Sequence, residues 1–148
     1  MEYPLAIIGG VASVSGILAV TAQLFATLSS FVDNVQEAPK EVRALNADLA
    51  AFYSTLTRIR LAVEAPRVSG LPEGWTGDFE KLAAVCLETL NQIKKIVDAA
   101  IVTETTSTAT QMYKTVRITF KFKRLEVLRA RLVSQLVVLD VSLKVLDE

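Results

Sequence analysis

Apolar side chains recur at alternating steps of three and four residues in the middle of the chain. Between Val42 and Val63 this spacing has no interruption, and the charged residues fall between the apolar positions. Such a pattern places one apolar stripe against a core and leaves the opposite face of an α-helix to water. Pro39 suits the first helical turn and Pro66 ends the helix. The pattern predicts an amphipathic helix from about residue 39 to residue 63.

Two more apolar stripes follow in the second half of the chain. One runs from Phe79 to Ala100, with Asp78 as its predicted N-cap, and the other is a leucine row from Leu125 to Leu146. Valines stand beside those leucines and widen the apolar surface. We therefore expect two faces of the last helix to be covered, which favours a central position for it.

The segments between these helices carry different signals. Residues 65–77 hold prolines and glycines around Trp75 and predict a loop, whereas the threonine-rich residues 103–111 predict a flexible connection. In residues 112–123 apolar and polar positions alternate with the period of a strand. Because no second strand pattern is present to pair with it, we expect a helix or an extended lead-in to the last helix.

The first segment is unusual because thirty residues from Tyr3 to Val32 carry no charge. Three interpretations compete: a secretory signal, a permanent membrane span, and a bundle helix that is apolar nearly all round. The signal lacks a positive start and the span lacks flanking basic residues, so we favour the bundle helix, interrupted near Gly9 and Gly10. Small residues at helical spacing form a thin face where another backbone could come close, in a core or in a membrane oligomer: Gly9, Ala12, Ser13 and Gly16.

Composition narrows the class of protein. The 148 residues are 51% hydrophobic and 22% charged, with a mean hydropathy of +0.39, which excludes a disordered chain. Together with the helical patterns this predicts an all-α fold. We expect a single domain over residues 1–148, built as a bundle of four main helices with an apolar N-terminal helix; a split first or last helix is an alternative.

The available side chains exclude most catalytic chemistry. The sequence has no histidine and one cysteine, Cys86, which lies on an apolar stripe and is predicted to be a buried, unreactive thiol. We therefore expect no enzyme activity, no metal site, no cofactor and a reducing compartment. Sixteen basic and sixteen acidic residues cancel, so we expect no nucleic-acid partner.

One region departs from this neutral balance. Residues 112–131 contain seven basic residues against the single acidic residue Glu126, with aromatic residues between them. A solvated helix start and a functional basic patch both fit this pattern. A patch of this kind can hold an anionic lipid surface, with each cation contributing about 1 kcal/mol near it.

The apolar start, the entry Ala38-Pro-Lys-Glu-Val-Arg-Ala-Leu45 and the basic run before the leucine helix carry a family resemblance. Together they resemble the HeLo-like N-terminal domain of fungal STAND (NLR-like) proteins, over nearly the whole chain. This domain is similar to the helical bundles of the heterokaryon-incompatibility protein HET-S and of the mixed-lineage kinase-like pseudokinase.

The resemblance implies an executor of regulated cell death in innate immunity. Such a domain is cytoplasmic until an upstream amyloid-motif or NLR-type receptor clusters several copies, after which the homo-oligomer permeabilises the plasma membrane. No Walker-type glycine loop is present in this sequence, so we expect the executor part of a larger receptor system or a separately encoded effector. The rival hypothesis is a scaffolding or self-association module of an NLR-like receptor that has no membrane activity.

Two groups of residues would carry the membrane activity. Membrane insertion is expected from apolar residues of the first segment: Leu5, Ile7, Ile8, Val11, Val14, Ile17, Leu18, Leu24 and Phe25. Contact with anionic lipid headgroups is expected from basic residues before the leucine helix: Lys114, Arg117, Lys121, Lys123 and Arg124.

Overall fold

Four α-helices make up the described part of the chain. The computed structural model describes residues 5–34, 40–65, 70–101 and 108–147, and side-chain surroundings for residues 12–33, 40–65, 70–99 and 123–146. The helices are α1 (Leu5–Asn34), α2 (Lys40–Glu64), α3 (Trp75–Ile101) and α4 (Thr108–Asp147), and no strand occurs within the described ranges. The predicted all-α fold with four main helices and an apolar first helix is confirmed.

The helices occupy the corners of a four-helix bundle. Among the described residues, α1 contacts α2 and α3, and α4 contacts the same two helices, while α1 and α4 make no contact with each other. Hydrogen bonds give the directions. Asp48 and Thr55 of α2 bond Arg129 and Asp140 of α4, so these helices run parallel. Thr89 bonds Gln135, and Trp75 bonds Ser142 further along, so α3 and α4 run antiparallel.

The core is built from the predicted stripes. Each helix turns one row of apolar side chains inward, as the three-and-four spacing requires. The buried leucine row of α4 lacks only Leu136, which is partly buried. The largest fully buried side chains belong to all four helices: Ile17, Leu24, Leu45, Leu49, Phe52, Leu56, Ile59, Phe79, Leu90, Ile93, Leu128 and Leu132.

The extents of two helices differ from the sequence expectation. The α1 helix continues through Gly9 and Gly10, so the predicted interruption is wrong. The α4 helix starts at Thr108 and passes through residues 112–123, so that segment is a helix and part of the predicted flexible connection is helical too. Pro39, Pro66 and residues 102–107 lie outside the described residues.

The start of α3 also needs a correction. The helix begins at Trp75, and the amide of Asp78 donates to the carbonyl of Gly74 at 3.0 Å, so Asp78 lies within the first turn and is not the N-cap. Gly74 adopts a φ of +77°, a conformation that glycine allows, and this turns the chain into the helix. The Trp75 ring is buried and stacks on Phe79 with ring centroids 4.9 Å apart.

The expected central position of α4 is wrong. Most of its leucines are buried against α2 and α3, but the valines described between residues 127 and 145 point away from the core. Val137 is 59% exposed and Val141 is 55% exposed. A helix at the corner of a four-helix bundle has neighbours on one side, so the second apolar face of α4 remains uncovered in the isolated chain.

Candidate membrane-contact site

The α1 helix has a buried face made of the predicted insertion residues. Val14, Ile17, Leu18 and Leu24 are buried in the bundle, and Phe25 is partly buried against it. The remaining four predicted insertion residues lie in α1, where the described residues give no side-chain surroundings: Leu5, Ile7, Ile8 and Val11. The folded chain therefore holds the described insertion residues against α2 and α3.

The opposite face of α1 is exposed and also uncharged. Its exposed positions up to residue 26 are small or neutral side chains: Ala12, Ser15, Gly16, Ala19, Gln23 and Ala26. The solvent faces of the neighbouring helices differ, since α2 exposes Arg43 and Arg58 and α3 exposes Glu80 and Lys95. A bundle that only had to remain soluble has no physical need for such a neutral outer face on one helix.

Two hydroxyl groups of α1 are satisfied within the helix itself, whereas Ser29 donates to Asn46 Oδ1 of α2 at 3.3 Å. Thr21 donates to the carbonyl of Ile17 at 2.8 Å, and Thr27 donates to the carbonyl of Gln23 at 2.9 Å. Hydroxyls bonded to the preceding turn in this way need no partner from another helix or from water. The segment Ala12–Asp33, 22 residues long, is long and apolar enough to span a membrane, a test that a core helix of a soluble bundle can also pass.

Polar contacts between helices hold α4 on both of its sides. Arg129 Nε lies 2.8 Å from Asp48 Oδ2 of α2, and Gln135 Nε2 donates to Thr89 Oγ1 of α3 at 2.9 Å. Thr55 donates to Asp140 at 3.3 Å. The Gln135 Oε1 atom is buried with no hydrogen-bond partner in the described part of the chain. Sequence reasoning missed these pairs because each joins residues far apart in the chain.

The small-residue face makes no close approach within the bundle. A Cβ built on Gly16 would have nothing within 4 Å, Ala12 is exposed, and Ser13 is partly buried. Gly9 lies in α1 outside the residues whose surroundings are described. Of the two alternatives for this face, the bundle shows no close contact at Gly16, and close contact in a membrane oligomer stays a prediction.

The basic segment, residues 112–131, lies mainly on the first half of α4. Lys123 and Arg124 are exposed, and Arg124 also donates to Gln92 Oε1 of α3 at 2.8 Å. Lys114, Arg117 and Lys121 lie on the helix, but their side chains fall outside the described residues. Two cations of the lipid-contact set are thus open to solvent.

Neither a thiol nor a metal centre offers catalytic chemistry in the described residues. Cys86 is completely buried, and burial raises the pKa of its thiol to about 12. Within the described ranges no group of three or more His, Cys, Asp or Glu side chains could hold a metal ion.

Comparison with known families decides the class of this bundle. Residues 11–139 match the family model of SesA, which is described as an N-terminal domain on NACHT NTPases and P-loop NTPases. The chain belongs to the SesA family. The match runs from within α1 to within α4 and includes α2 and α3 entirely. It confirms the expected class, the N-terminal domain of an NLR-like NTPase protein, at a coarser level than the HeLo-like assignment.

Neither a curated protein nor a solved structure matches this SesA domain. Its activity must therefore be argued from its own residues.

Proposed function

We propose that this SesA domain is a membrane-permeabilising executor of regulated cell death, activated when an NLR-like receptor clusters several copies. The observation that carries the proposal is the uncharged outer face of α1. A helix that lies against α2 and α3 on one side and has neutral residues on the other can exchange both environments for lipid without burying a charge.

The contacts that hold α1 support its release. Its buried side chains are aliphatic except that of Thr21, and lipid acyl chains offer the aliphatic ones an environment about as apolar as the core. The Thr21 and Thr27 hydroxyls keep their bonds because both partners are in α1. Release therefore exchanges mainly apolar contacts with α2 and α3 for apolar contacts with lipid, and it breaks the hydrogen bond from Ser29 to Asn46.

The remaining parts of the proposed site act before and after insertion. The basic start of α4 draws the domain from the cytoplasm to the anionic plasma membrane, where each cation contributes about 1 kcal/mol. The small outer residues Ala12, Gly16 and Ala19 then let α1 helices of several copies pack closely in the bilayer. The upstream partner is an amyloid-motif or NLR-type receptor that clusters the copies.

Charge placed on the outer face of α1 tests this proposal. The A19K/A26K variant changes two exposed positions, so the melting temperature of the soluble domain should not fall. In a bilayer each lysine near the middle of the span disfavours insertion by about 2.5–3.5 kcal/mol. We therefore expect loss of dye leakage from anionic liposomes when the chain is clustered by an inducible self-associating tag.

The matched control is A47K/A51K, which adds the same charge at exposed positions of α2. This variant should permeabilise liposomes as well as the unmodified chain. Equal leakage from both variants would show that α1 does not insert. If clustering of the unmodified chain produces no leakage, the domain is a scaffold, a role that the exposed valines of α4 independently favour.

A further inference from the structure

A row of exposed valines follows the outer side of α4. We call it the valine face: Val127, Val133, Val137, Val138, Val141 and Val145. Each of these side chains is at least 39% exposed. The solvent side of α4 from residue 133 to residue 145 has Lys144 as its one exposed charge in this described segment. Soluble monomers rarely leave a continuous apolar strip of this kind uncovered.

Four of these valines, with two polar residues, have the spacing of a helix-pairing seam. Six outward positions follow one another at steps of four, three, four, three and four: Val127, Arg131, Ser134, Val138, Val141 and Val145. Steps of this kind are the heptad pattern by which one helix packs along another. The order of steps is the same from either end, so an antiparallel copy of α4 keeps the register.

The side of the seam that adjoins α3 carries opposite charges at its two ends. Glu73 and Asp78 border a shallow groove of about 250 Å³ that is also lined by Val138 and Val141. Lys123, Arg124 and Arg131 are exposed toward the other end of the same helix. Between the two ends Val85 of α3 is 53% exposed, which extends the apolar strip from α4 onto α3.

From this arrangement we infer that the valine face binds a second copy of this chain, with the two α4 helices antiparallel about a two-fold axis. Centred on the seam, this pairing sets Val145 against Val127 of the other copy and Val141 against Arg131. The acidic end of each copy then meets the basic end of the other, with Asp78 near Arg131 and Glu73 near Lys123 and Arg124. Both charge matches occur twice because the interface is isologous.

The alternative directions fit less well. A parallel second copy would bring the two acidic ends to one level and the two basic ends to the other, so neither acidic end would meet a basic end and the charge matches would be lost. Because α1 lies diagonally across the bundle from α4, the antiparallel pair leaves both α1 helices on outer sides. The role of the pair in bringing copies together rests on the proposed function, but the pair itself does not.

Sedimentation velocity of the purified chain over a concentration series tests the inference. We expect a monomer–dimer equilibrium without lipid, abolished in V138K/V141K. The matched control Y53K/L61K changes two exposed apolar residues of α2 outside the valine face and should keep the dimer. A chain that stays monomeric throughout, or a dimer that survives V138K/V141K, would overturn the inference. Circular dichroism checks that the lysine variants fold.

A charge exchange tests the antiparallel direction. D78K and R131D should each raise the dimer dissociation constant about tenfold, because two attractive pairs become repulsive. The double variant D78K/R131D should restore it. If the losses of dimer affinity in the two single variants add up in the double variant, the antiparallel arrangement is wrong.

Two further measurements separate this inference from the proposed function. A19K/A26K should dimerise normally while it loses leakage, because its changes lie on α1. V138K/V141K should still permeabilise liposomes when the inducible tag joins the copies, because the tag replaces the contact that the valine face would make. A dimer without leakage in the unmodified chain would leave the interface intact and refute the membrane activity alone.

Discussion

Cys86 lies fully buried on the core-facing side of α3, and this burial raises the pKa of its thiol from 9.0 to about 12. The reactive thiolate is therefore nearly absent at neutral pH in the folded chain. Unfolding exposes the thiol and returns its pKa toward 9.0. The thiol's contribution to the free energy of unfolding is thus full below pH 9 and is lost as pH rises through 9 toward 12.

We expect Cys86 to resist alkylation by iodoacetamide at pH 8 until the chain unfolds. The matched control is V85C/C86A, which moves the cysteine by one residue to an exposed position and should react rapidly. Mass spectrometry of the labelled chain measures both. Equal labelling rates for native wild type and control would contradict the burial of Cys86. Between pH 9 and pH 12, wild type should also lose more stability than C86A.

The burial of Cys86 could be predicted because it depends only on the apolar stripe of its own helix. The ion pairs between helices could not be predicted in this way. Arg129 counts among the seven basic residues of its segment, yet Asp48 of α2 neutralises it from 81 positions away in the chain. Which helices become neighbours decides such a pair, and local spacing carries no information on that. The same holds for Gln135 and Thr89.

At the scale of the helices, the start of α3 shows how a turn sets a boundary. Gly74 has a φ of +77° and supplies the carbonyl that accepts the first helical amide bond, from Asp78. Gly77 lies inside the first turn, with a helical φ and open space where a Cβ would be. The two glycines are three residues apart, but Gly74 has a left-handed backbone conformation that disfavours a side chain, whereas Gly77 has a helical conformation that accepts one.

Alanine should therefore have opposite effects at these two glycines. G74A forces a side chain into a left-handed conformation and should lower the free energy of unfolding by about 1 kcal/mol or more. G77A reduces the freedom of the unfolded chain and should raise it by about 0.5–1 kcal/mol. Urea unfolding followed by circular dichroism measures both changes. Two effects of the same sign would contradict the boundary at Trp75.

The sequence pattern misplaced that boundary and left the start of α4 ambiguous for related reasons. Loop composition around Trp75 concealed that the helix already begins at this residue, whose buried ring stacks on Phe79. The alternation in residues 112–123 is typical of a strand, but a strand needs a partner for its backbone groups and a helix does not. Helix α4 therefore continues through this segment.

At the scale of the whole molecule, four helices and their core stripes could be predicted, but not their order around the bundle. The diagonal placement of α4 and α1 follows from which stripes fit together, and periodicity does not reveal this. The exposed valines of α4 made it look central for the same reason. Spare apolar surface indicates a partner, without telling whether that partner belongs to the same chain.

The basic segment gives the molecule a charged end that should act on lipid. We expect K114E/R117E/K121E to weaken binding to anionic liposomes by about a hundredfold or more, because three contributions of about 1 kcal/mol become repulsions. These residues lie outside the proposed dimer interface. Cosedimentation at rising salt measures the binding, which should also weaken as exposed charges are screened.

The matched control for this triple reversal is K40E/R43E/R58E on the exposed face of α2. It makes the same change in net charge away from the basic segment. If both variants lose binding equally, the lipid responds to total charge and the segment has no special role.

The order of the helices also affects how the chain reaches this structure. Five residues connect α1 to α2, and six connect α3 to α4, so each pair can close as a helical hairpin at a small loss of chain entropy. Helices α2 and α3 are consecutive in the chain but lie diagonally across the bundle and, in the described part of the chain, do not contact each other. The contacts that join the two hairpins are therefore α1 with α3 and α2 with α4, between more distant parts of the chain. We therefore expect folding to form two hairpins first and dock them last. During synthesis, α2 can therefore cover part of the apolar face of α1 before α3 and α4 have been made.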